Sequence, residues 1–446
     1  MSKPTRFSGA WLIAAACLLH GAPAAALTFE QAYDAALKND PQYRVNYYEN
    51  EVGKEYRILG RAAILPSLSG SYSASKNNGD IRISNAAGVK SPPQARDYIS
   101  RSGVVQLRQP LFNMDAWARF RQGEVQTRQS AKQFEANTDE VALRVLQAYS
   151  DALFAQDQLA LANVQRDMYS EQQKVNQRMF EKGEGTKTDM LETQARLDLA
   201  EAQVLEAQDN VASARATLEG IVGMPVATLQ TLSRDFRVAP LPGGLAEWKA
   251  RTLTQNRVLQ AARLAVEAAR LEIAKQRAGH APRVDLIAAY SKGDSETVNT
   301  FGQESNNRSV GVQVNIPFYA GGAVSATTRQ AVASHERAKA ELDTRTNEIM
   351  VEVGKAHAVT LSSVQRVAAL VKATESAQEL MKATTQSIKG GVRINLDLLN
   401  AQQQLFTSQR DLAQARYTYL IALLRLRAAA GELDREDVHE IAGYFK

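Results

Sequence analysis

Residues 309–318 alternate with period two. Val310, Val312, Val314, Ile316 and Phe318 point one way, and Ser309, Gly311, Gln313 and Asn315 the other. Leu68, Gly70, Tyr72 and Ala74 alternate in the same way with the serines from Ser67 to Ser75. Val284, Leu286, Ala288 and Tyr290 face away from Arg283, Asp285 and Ser291, while Val105 and Leu107 oppose Gln106 and Arg108 less regularly. Such alternation over about ten residues fits a transmembrane barrel strand, and equally a half-buried hairpin of a soluble domain. The intervening segments 77–99 and 293–307 favour the barrel, because they are polar and rich in Gly, Asn and Ser, like the external loops of such barrels.

The rest of the chain follows a period of seven. Val141, Val145, Ala148, Ala152, Ala155, Leu159 and Ala162 recur with 4-3 spacing, and so do Ile349, Val353, Ala356, Thr360, Ser363, Val367 and Leu370. Leu197, Val204, Val211 and Leu218 fall every seventh residue, as do Leu405, Leu412, Tyr419 and Leu426. These are left-handed coiled-coil seams, with small residues that let helices approach closely. The first block predicts a helix of roughly 70 residues, about 105 Å long at 1.5 Å per residue. Gly183 and Gly391 then break each block into a long helix and a shorter antiparallel return.

Gly183 and Gly391 lie 208 residues apart, as do Asp189 and Asp397. The chain is therefore a duplication. The expected organisation is a signal peptide at 1–26 and a first repeat at 27–235, with strands near 66–76 and 101–112 and helices near 113–182 and 188–221. A second repeat at 236–446 has strands near 282–292 and 308–319 and helices near 320–388 and 395–430. Composition agrees. There are 70 alanines, and no proline falls between Leu111 and Met224 or after Pro317. Lys3 and Arg6, the apolar run 9–19 and Ala24–Ala26 form a secretory signal ending before Leu27. Cys17, the one cysteine, lies within it, so the mature chain is expected to carry no disulfide. Without Lys3 and Arg6 the net charge falls from +5 to about +3, which implies no nucleic-acid partner.

Catalytic readings fail. His280, His335, His357 and His439 are scattered without metal-ligand spacing, and no cofactor is implied. The run starting at Gly183 lacks the spacing of a phosphate loop. Four strands cannot close a membrane barrel, and open edges are not tolerated in lipid. The chain must associate: two copies give eight strands, three give twelve. The competing reading is a structural coiled-coil protein of the periplasm or cell surface, with no pore.

Taken in order, these features make the sequence resemble the TolC family of outer-membrane channel-tunnels. They are LTFEQAYDAALKNDP after the signal, the strand pairs closing on Pro110-Leu111-Phe112 and Pro317-Phe318, the paired G-x5-D turns, and AQARYTYLIALLRLRAAAGEL near the end. The resemblance implies a mainly α fold with a transmembrane β part. It would be a homotrimer with a twelve-stranded β-barrel, four strands per protomer, in the outer-membrane lipid, and an α-barrel tunnel of long antiparallel helices in the periplasm. It also implies a passive exit duct for type I protein secretion, multidrug efflux or both. A periplasmic adaptor protein and an inner-membrane transporter of the ABC or RND class would open it.

The resemblance assigns roles at the helix tips. Asp397 and Asn400 correspond to two acidic residues that narrow the periplasmic entrance; only Asp397 keeps its carboxylate, so a trimer would carry one ring of three. Asp397 also suits a helix N-cap. Arg393, opposite Thr188 and Asp189, corresponds to the latch that holds the entrance closed. Its aromatic partner is replaced by Ile388, which has no side-chain hydrogen bond to give. Gly183 and Gly391 mark the turns where an adaptor would dock. Tyr72 and Tyr290 are candidates for an interfacial aromatic belt.

Overall fold

The computed structural model describes residues 26–446 except 85, 87, 234, 235, 298, 299 and 391. The expected leader therefore lies, apart from Ala26, outside the described residues, and so does the turn glycine Gly391. After helix α1 (Phe29–Asn39) comes α2 (Pro41–Ala62), then strands β1 (Ser67–Ile81) and β2 (Gln94–Phe112), then α3 (Met114–Glu181) and α4 (Lys187–Val222). The pattern recurs as α5 (Leu245–Gln255), α6 (Arg257–Arg277), β3 (Arg283–Thr297), β4 (Thr300–Asn315), α7 (Ala323–Lys389) and α8 (Asn395–Ala430), closed by α9 (Arg435–Ala442).

The four strands form one antiparallel sheet in the order β1-β2-β3-β4. Each strand continues a helix: α2 enters β1, β2 leaves into α3, α6 enters β3, and β4 leaves into α7. The helices pack side by side in the same order, α2 on α3, α3 on α6 and α6 on α7. Below that layer α4 folds back on α3, and α8 on α7. No helix among the described residues is apolar enough over its length to cross a membrane.

The strands run further into the polar segments than the alternation predicts. Residues 77–81, 94–100, 293–297 and 300–307 are paired strand, not loop. The reason is that a backbone ladder needs no apolar side chain. Polar pairs take over instead: Asn78 donates to Asp97 at 2.7 Å and the hydroxyls of Ser75 and Ser100 lie 2.8 Å apart. At its other end β4 stops at Asn315, short of the expected 319. Pro317 has no N–H to give the ladder there. Pro110 sits inside β2 at a register irregularity, where a proline in a sheet is tolerated.

The pattern also predicts no element at 29–62 or 245–277, where α1, α2, α5 and α6 stand. Helix α2 shows why. Its only buried residues are Gly53 and Gly60, so it has no apolar stripe to read. It packs by closeness instead. A Cβ on Gly60 would lie 2.8 Å from Arg119 O, and one on Gly123 of α3 2.3 Å from Tyr56 O. Thr127 fills the remaining space, donating to Gly53 O at 2.9 Å and accepting from Arg57 N at 3.1 Å.

The main core lies midway along the long helices and draws on both repeats. Phe29, Tyr149, Leu218, Val222, Phe236, Leu420, Leu424, Val438 and Phe445 are buried together. The Tyr149 hydroxyl donates to Leu27 O at 2.8 Å and to Gln230 O at 3.1 Å, tying the start of the described chain and the inter-repeat linker to α3. The C-terminus closes the same region, Lys446 N donating to Thr231 O at 2.9 Å. Nearby, Asp139 of α3 is paired with Arg257 at the start of α6, and Arg257 also donates to Leu433 O at 3.0 Å. Burial pushes the Asp139 carboxyl up to about 6, although Arg257 pulls it back down.

Two expectations follow from this packing. Gly123→Ala should force α2 off α3, costing about 1–3 kcal/mol as an overpacked contact, and should lower the thermal midpoint of the assembled protein. Asp139 binds its proton more tightly folded than unfolded, so its contribution is fully present below the usual carboxylate range and is lost as pH rises through about 6. Denaturant unfolding of wild type and Asp139→Asn between pH 4 and 7.5 should therefore show the asparagine variant gaining on wild type up to about pH 6 and levelling off above it.

Candidate functional site: the helix tips

The first tip is closed by local hydrogen bonds. Helix α3 ends at Glu181, and Gly183 takes φ +76°, the left-handed value that favours glycine. Glu184 N and Gly185 N both donate to Met179 O, at 2.9 and 3.1 Å. Thr186 then caps α4. Its hydroxyl accepts from Asp189 N at 3.1 Å and donates to the Asp189 carboxylate at 2.6 Å.

The second tip repeats one of these backbone bonds but not the chemistry of the cap. Val392 N donates to Ser387 O at 3.0 Å, and α8 starts with Ile394 at its N-cap. Isoleucine cannot cap through its side chain, so no hydroxyl meets the carboxylate of Asp397. Asp397 is therefore not the cap that its sequence position also suits; it stands in the first turn, as Asp189 does in α4. Of two equivalent carboxylates, Asp189 is held by the cap of its own helix and Asp397 is not.

The latch candidates are near the tip but not joined. Among the described residues, no hydrogen bond or ion pair connects Arg393 with Thr188 or Asp189 within the chain, and Arg393 is exposed. Ile388 is half-buried. Asn400 has a partner of its own: Arg196 of α4 donates to Asn400 Oδ1 at 3.4 Å.

The two hairpins are also joined by a seam of uncharged polar side chains. Gln172 donates to Asn176 Oδ1 at 3.0 Å and to Asn395 Oδ1 at 2.8 Å. Asn176 and Asn395 both donate to the Thr193 hydroxyl, at 2.7 and 3.1 Å, and Thr193 donates to Asp189 O at 2.8 Å. Two turns further from the tip, Gln165 donates to Gln403 Oε1 at 2.7 Å. Thr193 is wholly buried and Asn176 nearly so. These residues tie α8 to α3 and α4. The sequence carried a signal for them: Asn176 continues the heptad spacing of Ala162 and Tyr169, and Thr193 precedes Leu197 and Ala200 in the same way. A polar residue at a buried seam position fixes register and partner.

At the opposite end the sheet has one apolar face. Cross-strand pairing puts Leu68, Leu107, Ala288 and Val310 in one row, and Gly70, Val105, Tyr290 and Arg308 in the next. Tyr72 lies in the row beyond, with Gly103, Lys292 and Asn306. The two tyrosines thus share a face one row apart, where apolar residues give way to charged ones. Tyr72 covers Gly103, whose Cβ would lie 3.9 Å from its ring, and the Arg308 guanidinium stands 5.8 Å from the centre of the Tyr290 ring. The other face is polar, and there Arg108 donates to Asp285 at 3.0 Å.

Comparison with known proteins gives this arrangement its context. The family described as "Outer membrane efflux protein" matches residues 32–224 and 248–432. The chain is 41% identical to alkaline protease secretion protein AprF of Pseudomonas aeruginosa, over 98% of this chain and 91% of that one. It is 36% identical to proteases secretion protein PrtF of Dickeya chrysanthemi, over 96% and 93% of the two chains. Its fold matches the Campylobacter jejuni CmeC outer membrane channel with a TM-score of 0.78 at 15% identity, covering 94% of this chain and 90% of that one. With duplicated hairpins, one sheet and one apolar face, the chain belongs to the outer membrane efflux protein family, the TolC-type channels of the outer membrane, which are not enzymes.

Proposed function

We propose that this chain is the exit duct of a type I export system whose cargo is a secreted protein. It lies in the outer membrane with its helices in the periplasm. The cargo reading rests on two relatives above 30% identity, both of them protease secretion proteins by name. The duct is a homotrimer, in which three four-stranded sheets close a twelve-stranded barrel and the helical layers close a tunnel. An adaptor docks at the tip turns around Gly183 and Gly391, and an inner-membrane transporter of the ABC class supplies the energy.

The observation that carries the entrance assignment is the asymmetry of the two tips. Asp189 is engaged by Thr186, whereas Asp397 has no capping partner. Three Asp397 carboxylates then ring the periplasmic mouth, with Asn400 held by Arg196 behind them. A ring of like charges in a constriction attracts cations. The seam of Gln172, Asn176, Thr193 and Asn395 holds α8 inward, in the place of a latch through residue 388. Arg393 is left to reach Thr188 or Asp189 of a neighbouring protomer.

Two measurements in planar bilayers test this. Asp397→Ala should raise the half-blocking concentration of a trivalent cation by about tenfold, or ~1.4 kcal/mol, and Asn400→Asp should lower it; equal block in all three proteins would sink the entrance assignment. Thr193→Val takes from the amides of buried Asn176 and half-buried Asn395 the hydroxyl that they share, a loss of about 1–3 kcal/mol. The expected result is a larger single-channel conductance or longer openings than wild type, and an unchanged record would show that the seam does not hold the mouth.

A further inference from the structure

A cavity of about 630 Å³ lies where the sheet joins the helices, lined by Ile64, Phe112, Trp117, Arg121, Leu271 and Ala274 among others. Its walls come from the end of α2, the β2–α3 junction and the end of α6, so it sits on the middle of the protomer, away from the β4–α7 edge. Phe112 pairs with Val284, and Val284 with Val314. Alternation from Val284 to Leu286 and Val312 puts all of them on the apolar face of the sheet. Trp117 and Arg121, four residues apart, project from α3 on the same side. The cavity therefore opens where the apolar face ends.

Its chemistry is graded. The wall nearest the barrel is aromatic and aliphatic. Trp117 is 56% exposed, with its ring 5.5 Å from that of Phe120. Indole rings favour the headgroup level of a membrane. Arg121 lies one helical turn further from the barrel, about 6 Å along the axis. It is exposed, and among the described residues it makes no hydrogen bond or ion pair. By contrast Arg119, two residues before it, is held by Asp115 at 2.8 Å. An apolar cleft, an interfacial indole and an unpaired guanidinium in that order match an acyl chain, a glycerol backbone and a phosphate.

We infer that this cavity is a binding site for one anionic phospholipid of the periplasmic leaflet, with an acyl chain against Phe112 and Leu271 and the phosphate on Arg121. The inference rests on the outer-membrane reading of the chain. The alternative occupant is a second copy, whose Phe318 and Tyr319, 92% and 88% exposed, follow β4. Those residues leave the far edge of the sheet, and a neighbour's copy would meet the α2 side of the groove, not Arg121.

The test uses the assembled protein in phosphatidylcholine vesicles, with lipid brominated on the acyl chain as quencher of Trp117 fluorescence. Trp248 is buried far from the sheet and serves as an unquenched background. Brominated phosphatidylglycerol should quench saturably, with an apparent affinity about fivefold above that of brominated phosphatidylcholine, the value of one arginine near a membrane. The preference should vanish in Arg121→Gln, quenching should fall in Ala274→Phe, and Trp117→Phe should abolish it. Equal quenching by the two lipids means annular contact only and overturns the site, as does a preference that survives Arg121→Gln. Absence of quenching by either lipid means that a neighbouring protomer fills the groove, and overturns it too. Channel conductance in the same membranes reads the duct itself, so loss of conductance would count against the duct and not against the lipid.

Discussion

The structure depends on a sheet that cannot stand alone. Strands β1 and β4 are its edges, and each has a row of backbone donors and acceptors with no partner in the sheet. In water such an edge is a hazard; in hydrocarbon it is untenable. The edges must be paired by other copies of the chain. Because every strand runs on into a helix at the same position in the row, closing the sheet also closes the helical layer. Barrel and tunnel are one closure expressed in two kinds of backbone, and the number of copies that satisfies the strands must also satisfy the helices.

That requirement explains the character of the packing. Strands in a sheet lie about 4.8 Å apart, while helices pack at about 8–10 Å. A layer that passes from one to the other needs its helices as close as side chains allow. The glycines of α2 and α3 provide this, with Gly60 and Gly123 set where any Cβ would strike backbone. Further from the membrane the alanine-rich seams continue the close approach. Only at the middle, around Tyr149 and Leu420, is there a core of ordinary depth, and it is built from both repeats and both ends of the described chain. Neither half could keep that core by itself.

How much of this was legible in the sequence varied with the physical signal. Val310 to Val314 announced a strand because lipid on one side and water on the other impose a period of two. The heptads of α3 and α8 announced coiled coils for a similar reason. The polar continuations of the strands beyond Ala74 and Tyr290 gave no such sign, since their pairing rests on backbone alone. Helix α2 was silent because glycine contacts have no hydropathy. At the tips the sequence sets Asp189 and Asp397 at equivalent positions of the two repeats. Their difference lies three residues earlier, in Thr186 against Ile394, and needs the geometry of a helix cap to be seen. The polar seam stands at heptad positions, at Asn176 and Thr193, where hydropathy alone gives no sign of it.

The unequal caps have a consequence for how the mouth moves. A helix whose first turn is closed by a threonine hydroxyl resists fraying; one that begins with isoleucine has no side chain to close it, and in α8 the Asp397 N–H turns back on Ile394 O instead, at 3.1 Å. Helix α4 therefore starts from a fixed point, and α8 from a loose one. With the tips as the entrance, as proposed, each protomer has one lip closed by a side-chain cap and one without, and a pull on the tips is expected to be answered first by α8. A single hydroxyl, present in one repeat and missing from the other, makes that difference.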